Sequence, residues 1–529
     1  MVVPELRAWR AARPRLARVA HAVKPRVVRF ARAAGPRLTT PRTWQYTTGA
    51  AALGLVLAAG AVTAAGPWDS TGQRTAERRR AAALERMGGA DHGRRNDTSD
   101  TSRTPDVSAG RAEPAPSALP VLVGIGEAAL EPVSGSRGLA QVLDPLLQDP
   151  ALGARRSASV VDAATGEQLY GQGADEALTP ASTTKIATGA AALSVLGPDH
   201  RLTTRAVLEP GTGKAGEAGK SGKVVLVGGG DPTLTAREEA RGQASLRELA
   251  RRTAAALTKQ GVTKATLSYD TSLYAGPELH PIGVNENIAR VTALMTDEAR
   301  TDDSTSGPAP RVADPAAHAA ATFARLLSEA GIPTTEAGPA RATTRAKTLA
   351  SVSSPPLSDL VERMLTHSDN DIAEALARHT AVATGVRPDF AGGAAAIEAR
   401  LRKLGLPLKG AAFHDGSGLN RADRLTARLL TALLLKAADP AHPELRPVLT
   451  GLPVAGFTGT LSSRYAGDAA GAAGLARAKT GTLTGVNTLA GTAVTREGRL
   501  LVFAFLAEDT PGQEAAQSAL DRAVAALIG

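Results

Sequence analysis

The sequence predicts a mixed α/β (α+β) fold: an antiparallel sheet flanked by helices, interrupted by an inserted α/β unit and preceded by an N-terminal membrane helix. Three observations predict it. Strand patterns occur early and late in the region after Leu119, with helix-period segments between them, so both ends of that region close one sheet. The long stretch between Lys185 and Ser368 alternates strand and helix patterns of its own. Residues Thr47–Gly66 hold no charged side chain, in a chain where 21% of residues are charged.

At 529 residues the chain needs two or three domains. Hydrophobic residues make up 43% of it but aromatic ones only 3%, so alanine fills much of the core. The net charge of +10 is local: residues 1–46 carry eleven basic side chains against the single acid Glu5. The rest of the chain is balanced, which argues against a nucleic-acid partner. Zero cysteines rule out disulfides, cysteine zinc sites and a thiol nucleophile.

In order, residues 1–46 read as a basic cytoplasmic tail and 47–66 as a transmembrane helix, since about twenty apolar residues cross a bilayer. Trp44, Tyr46 and Trp68 flank that span as interfacial aromatics. The positive tail keeps the N-terminus inside and everything after Trp68 outside. Two other readings of the span stand beside the anchor: a signal peptide cut near Thr63-Ala-Ala65, giving a secreted protein, and a buried soluble helix. Residues 67–118, rich in charge, Ser/Thr and Pro, form a disordered linker.

Residues 119–200 begin the main domain. A helix is expected over Gly138–Leu147, then a hairpin over Ala158–Tyr170 about an Ala-Thr-Gly turn, then a helix started by Pro180 and the Ser/Thr cluster after it. Residues 201–344 form the insertion, with strands at Lys223–Val227 and Lys264–Tyr269, helices at Leu246–Gln260 and Ala316–Ala330, and a loop over Arg300–Pro310. Gly228-Gly-Gly230 is a tight turn and not a phosphate cradle, because Asp231-Pro232 follows where a Lys-Ser/Thr is needed. Ser351-Val-Ser-Ser-Pro-Pro-Leu returns the chain to the main domain, residues 345–529. Its helices are expected at Leu357–Leu365, Ile372–Ala381 and Gln513–Leu527, and its strands at Lys479–Val494 and Leu500–Leu506. His280, His367 and His414 lack metal-ligand spacing and read as satisfied or exposed residues. Neither a metal nor a cofactor is expected.

The chemistry centres on Ser182-Thr-Thr-Lys185. On a helix these ends sit at i and i+3 and share a face. A serine hydroxyl is a poor nucleophile until a base takes its proton, and a lysine whose pKa is lowered by burial is such a base. The pattern alone is weak, because a capping serine before a solvated lysine looks the same. Its company is not weak: Ser-x-x-Lys, Ser368-Asp-Asn370 and Lys479-Thr-Gly481, with Thr482 following, occur once each and in this order. That ordered set marks penicillin-recognising serine enzymes.

The sequence resembles the penicillin-binding D-alanyl-D-alanine carboxypeptidases of low-molecular-mass class C, the S13 peptidases. Pro180-Ala-Ser-Thr-Thr-Lys, Gly229-Gly-Asp-Pro-Thr-Leu, Ser368-Asp-Asn-Asp-Ile-Ala-Glu, Asp415-Gly-Ser-Gly-Leu, Leu452-Pro-Val-Ala-Gly, Gly459-Thr-Leu and Ala478-Lys-Thr-Gly-Thr-Leu carry the likeness, which covers about residues 135–528. It implies a β-lactamase/transpeptidase-like domain with an insertion between its first two motifs. It also implies the roles. Ser182 is the acylating nucleophile and Lys185 its base. Ser368 relays a proton to the leaving amine with the help of Lys479, and Asn370 holds the substrate amide. Thr480 and Thr482, with Lys479, bind the terminal carboxylate, and the N–H groups of Ser182 and Thr482 make the oxyanion hole. Lys185 is expected to be neutral at working pH, its pKa lowered by Lys479 and by partial desolvation. The implied partners are a peptidoglycan stem peptide ending in D-Ala-D-Ala and β-lactams as covalent inhibitors, with DD-endopeptidase action on cross-links as a second outcome. A serine β-lactamase is the nearest rival, but no Glu-x-x-Leu-Asn lies between Asn370 and Lys479 to drive deacylation. Asp415 reads first as a turn cap. A catalytically silent wall-binding scaffold is the third reading.

Overall fold

The structure, a computed structural model, describes residues 136–211 and 220–529. The tail 1–46, the span 47–66, the linker 67–118 and the stretch up to 135 lie outside the described residues. Among the described residues no helix is long and apolar enough to cross a membrane.

Helix α1 (Ser136–Leu147) leads into β1 (Arg155–Asp162) and β2 (Gln168–Gln172), the expected hairpin. Asp162 closes its turn by accepting the N–H groups of Ala164 and Thr165. The late strands β10 (Ala476–Leu483), β11 (Val486–Val494) and β12 (Leu500–Glu508) return to this hairpin. The sheet order is β10-β11-β12-β1-β2, antiparallel throughout. Both ends of the domain thus close one sheet, with β10 left on its edge.

One face of this sheet is covered by α1 and the C-terminal helix α9 (Gln513–Ile528), through Leu143, Phe503, Phe505 and Leu520. The other face packs on a helical layer: α2 (Thr184–Leu196), α5 (Leu357–His367), α6 (Asn370–Thr384), α7 (Phe390–Lys403) and α8 (Ala427–Ala438). Helix α2 runs through the middle, with every residue from Thr184 to Leu193 buried. Its Ala and Gly positions let neighbours approach closely; a Cβ on Gly189 would stand 3.1 Å from a Val361 methyl. Bulkier residues on such a helix would force strain on every side.

The insertion builds a second sheet from β4 (Thr203–Leu208), β5 (Lys220–Val227), β6 (Val262–Asp270), β7 (Thr334–Pro339) and β8 (Lys347–Ser353), in the order β7-β6-β5-β4-β8. β5, β6 and β7 run parallel, joined by α3 (Leu246–Lys259) and α4 (Pro315–Glu329) as crossovers. The expected end of the insertion at residue 344 is therefore too early. β8 pairs with β4 in the register Thr203↔Ser353, so the chain leaves the insertion at Ser353. The neck is closed there twice, by Ser354 N–H on the Leu202 carbonyl (2.9 Å) and by Leu202 N–H on Ser354 Oγ (3.0 Å). Sequence order concealed this, because the partner of β8 lies some 150 residues upstream.

Between β6 and α4 the insertion sends a long strap, residues 271–312, back over the main domain. Tyr274, Ile288, Val291 and Ala293 of the strap form a small core with Phe390 of α7. The short strands β3 (Ala177–Leu178) and β9 (Leu425–Thr426) pair beside the Ser182 turn.

Candidate active site

Ser182 sits in a single 3₁₀ turn, Ala181–Thr183, directly ahead of α2. The turn is held at its root: the Pro180 carbonyl accepts the hydroxyls of Thr183 (2.7 Å) and of Thr488 on β11 (2.8 Å). Ala181 takes φ of +47°, a conformation that costs a residue with a Cβ about 1–3 kcal/mol and persists only where the surroundings impose it. Two glycines impose it. A Cβ on Gly418 would lie 1.9 Å from the Ala181 carbonyl, and one on Gly481 would lie 2.1 Å from Thr488 Oγ1 and 2.6 Å from the Pro180 carbonyl. The Asp-Gly-Ser-Gly loop and the Lys-Thr-Gly strand therefore both press backbone against the serine turn.

Ser368 lies at the junction of α5 and α6. It caps α5 in the left-handed region (φ 58°), and Asp369 then caps α6 by accepting the Ile372 N–H (3.0 Å), so Asn370 becomes the first residue of α6. Such a junction explains why Ser-x-Asn sits at a fixed place: the chain reverses between two buried helices and presents both polar side chains outward.

A cleft of about 460 Å³ brings together Ser182, Ser368, Asn370, Thr480 and Thr482. Lys185 and Lys479 lie behind its wall with no exposed surface. The Thr480 hydroxyl shares a hydrogen bond with the Thr460 hydroxyl (2.8 Å), and Thr482 Oγ1 accepts one from Gln517 of α9 (3.3 Å). Arg300 and Arg311 of the strap and Arg464 also face the cleft. Each is already paired with a carboxylate: Glu298, Asp371 and Asp521 respectively.

Lys185 Nζ has three polar neighbours: Ser182 Oγ at 3.0 Å, Asn370 Oδ1 at 2.6 Å and the Ser417 carbonyl at 2.7 Å. The latter two can only accept. When the amine is neutral its two N–H bonds go to them, and its lone pair is left facing the Ser182 hydroxyl. The Asn370 amide cannot turn over, because its Nδ2 donates to the main-chain carbonyl of Asn287 (2.9 Å).

The expected cause of Lys185's lowered pKa needs correcting. Burial is complete, not partial, and it pushes Lys185 down from 10.5 to about 8; the carboxylates of Asp415, Glu374, Asp369 and Asp371 work against that and hold part of the charge. The net preference against the charge is about 3 kcal/mol. Lys479 is not what lowers it. The effect runs the other way: burial first, then the charge on Lys185, pushes Lys479 well below the usual lysine range. Lys185 is thus near the point of deprotonation at neutral pH but not past it. Lys479 Nζ donates to the Thr480 carbonyl (2.8 Å).

Asp415 is fully engaged, accepting the N–H groups of Gly418 (2.6 Å) and Asn420 (2.7 Å) and bonding His280 (3.0 Å). It is a turn cap, as expected, and is not free to activate water. Sequence reasoning missed Ser417, Asn287, Thr460 and Gln517. Asp415-Gly-Ser-Gly-Leu and Gly459-Thr-Leu were recognisable stretches, but a main-chain carbonyl carries no signature of its residue type.

The chain matches the D-Ala-D-Ala carboxypeptidase 3 (S13) family over residues 139–301 and 299–527. It is similar to a carboxypeptidase of Mycobacterium tuberculosis, at 37% identity over 417 residues covering 76% of this chain and 87% of that one. It is similar as well to carboxypeptidase DacB of Mycolicibacterium smegmatis, at 38% identity over 391 residues covering 72% of this chain and 81% of the relative. Among solved structures, penicillin binding protein 4 (dacB) of Haemophilus influenzae shares the fold, with a TM-score of 0.59 at 22% identity, covering 73% of this chain and 97% of that one.

Gly481→Ala tests the close approach of strand and turn. Its Cβ would meet a threonine hydroxyl and a main-chain carbonyl, neither of which can swing away, so it should cost about 1–3 kcal/mol in urea unfolding and slow labelling of Ser182 by a fluorescent penicillin at least tenfold. Unchanged labelling would mean that β10 need not press on the serine turn.

Proposed function

The chain belongs to the D-Ala-D-Ala carboxypeptidase 3 (S13) family, and on that footing we propose that Ser182 attacks the D-Ala-D-Ala amide of a peptidoglycan stem peptide with Lys185 as its base. The enzyme is a serine-type D-Ala-D-Ala carboxypeptidase working through an acyl-enzyme, and β-lactams inhibit it by forming the same ester. The observation that carries the proton-transfer reading is the pair of obligate acceptors, Asn370 Oδ1 and the Ser417 carbonyl, which leave a neutral Lys185 one direction for its lone pair.

Lys185 takes the Ser182 proton as Oγ bonds to the carbonyl carbon, and the oxyanion is met by the N–H groups of Ser182 and Thr482. The carbon–nitrogen bond then breaks, with the proton passing through Ser368 to the departing D-alanine amine. Water attacks the remaining ester, returning its proton to the site and releasing the shortened peptide. Thr480 and Thr482 hold the terminal carboxylate. Lys479, buried behind them, supports that grip by donating to the Thr480 carbonyl, not by contact. β10 is an edge strand, so an extended peptide can lie along its open side. Cleavage of cross-links needs only that the leaving amine carry a second peptide.

The protein is anchored by residues 47–66 with its catalytic domain outside the cytoplasmic membrane; the charge asymmetry about that span supports this. Cell fractionation should find the intact chain in the membrane. A shortened, released species beginning just after Ala65 would instead mean a cleaved signal.

The base must be neutral to act, so acylation is lost as pH falls through the Lys185 pKa and rises as pH climbs through about 8. Lys185→Arg, whose charge cannot be released, should lower it by about 10²–10⁴-fold. Intact-protein mass spectrometry after a penicillin pulse should find an ester on Ser182 lasting minutes, while a stem-peptide mimic releases D-alanine with turnover. An adduct gone within seconds, with little D-alanine released, would make the protein a β-lactamase.

A further inference from the structure

The two acceptors that orient Lys185 are held by one short piece of the insertion. Each is the C=O of an amide group whose N–H points elsewhere. The Asn370 amide gives its N–H to the Asn287 carbonyl at 2.9 Å. The Ser417–Gly418 peptide gives its N–H to Asp415 Oδ1 at 2.6 Å, and Asp415 Oδ2 is bonded to His280 Nε2 at 3.0 Å. His280 and Asn287 belong to the strap, not to the catalytic domain. His280 is itself fixed: Nδ1 accepts the Ile282 N–H (3.2 Å), so Nε2 carries the proton and donates. Its ring packs edge-on against Phe390, with centroids 5.1 Å apart, and its side chain has no exposed surface.

We propose that the His280–Asn287 segment is a positioning device for the base: through Asp415 and through Asn370 it sets the two carbonyl oxygens that aim Lys185 at Ser182. The insertion is then part of the catalytic machinery and not an appended module. Other bonds between strap and α6 keep the segment in register. Asp371 Oδ1 accepts the Ala289 N–H (2.9 Å), and Arg311 bonds Asp371 Oδ2 (2.8 Å). Glu374 of α6 shares the task by accepting the N–H groups of Gly416 and Ser417 (3.0 and 2.8 Å). Asp423, beside Asp415, is pushed up to about 10 by burial and by the Asp415 charge, so it stays protonated and leaves Asp415 as the charged acceptor.

This rests on Lys185 being the base, and the test separates the two ideas by comparing variants with a wild type that must itself acylate. The full-length protein is reacted with a fluorescent penicillin over a range of concentrations. That resolves noncovalent affinity from the acylation rate at saturation. His280→Gln keeps an amide N–H within reach of Asp415; His280→Phe keeps the ring and removes the donor. The Phe variant should lose about 100-fold in acylation rate, the low end of what a positioned base supplies, with affinity changed less than threefold. The Gln variant should recover to within about tenfold of wild type. If the Phe variant does not fold, His280→Asn, a methylene too short to reach Asp415, should show the same loss. Wild-type rates in a folded Phe or Asn variant would overturn the proposal. So would equal losses in Gln and Phe with affinity falling alongside rate, which mark packing alone. No acylation of the wild type would instead overturn the reading of Lys185 and Ser182 itself.

Discussion

A lysine with no contact to water must shed its proton or be ringed by opposite charge, and Lys185 does part of each. Burial drives its pKa down toward 8 while four carboxylates from α6 and the 415–420 loop hold it from falling further. The rest of the site is arranged around this balance. More carboxylate influence would fix the charge on Lys185; less would let burial strip it. The Ser182 turn, the Ser-x-Asn junction and the Asp-Gly-Ser-Gly loop come from separate parts of the chain. They meet at this one amine because Asn370 and Ser417 each spend an acceptor on it.

Close backbone approach is what makes that meeting possible. Gly418 and Gly481 stand where a single methyl group would collide with the serine turn. The third residue of Lys-Thr-Gly is thus a matter of space and not of chemistry. Alanine in α2 has the same effect, letting four helices gather about a helix buried along ten consecutive residues. A core so poor in aromatics gains little from any one side chain and relies on close packing throughout.

Much of this was legible in the sequence. Ser182 and Lys185 at helical spacing, the ordered second and third motifs, and the early and late strands of one sheet each followed from local pattern. What was not legible depends on distant partners. β8 joins the insertion only because β4 waits on the far side of it, so alternation in Lys347–Ser353 could not assign the strand to a sheet. The carbonyls of Ser417 and Asn287 have no residue signature. Sequence reads His280 only as satisfied or exposed, and it takes the fold to show that it is buried with Asp415 of the glycine-rich turn as its partner. The cause of the Lys185 shift was misjudged for the same reason: two lysines repel equally in a sequence, and only their surroundings decide which one yields its proton.

The central claim is that Lys185 is poised for proton release by its site and not by its residue type. Carbon-13 labelling of the lysine ε-carbon, with Lys185→Arg and Lys479→Arg variants to assign the two buried signals, measures this directly. The Lys185 resonance should titrate near pH 8, and the Lys479 resonance should titrate well below the ordinary lysine value of 10.5. A Lys185 midpoint at the ordinary lysine value near 10.5 would contradict it.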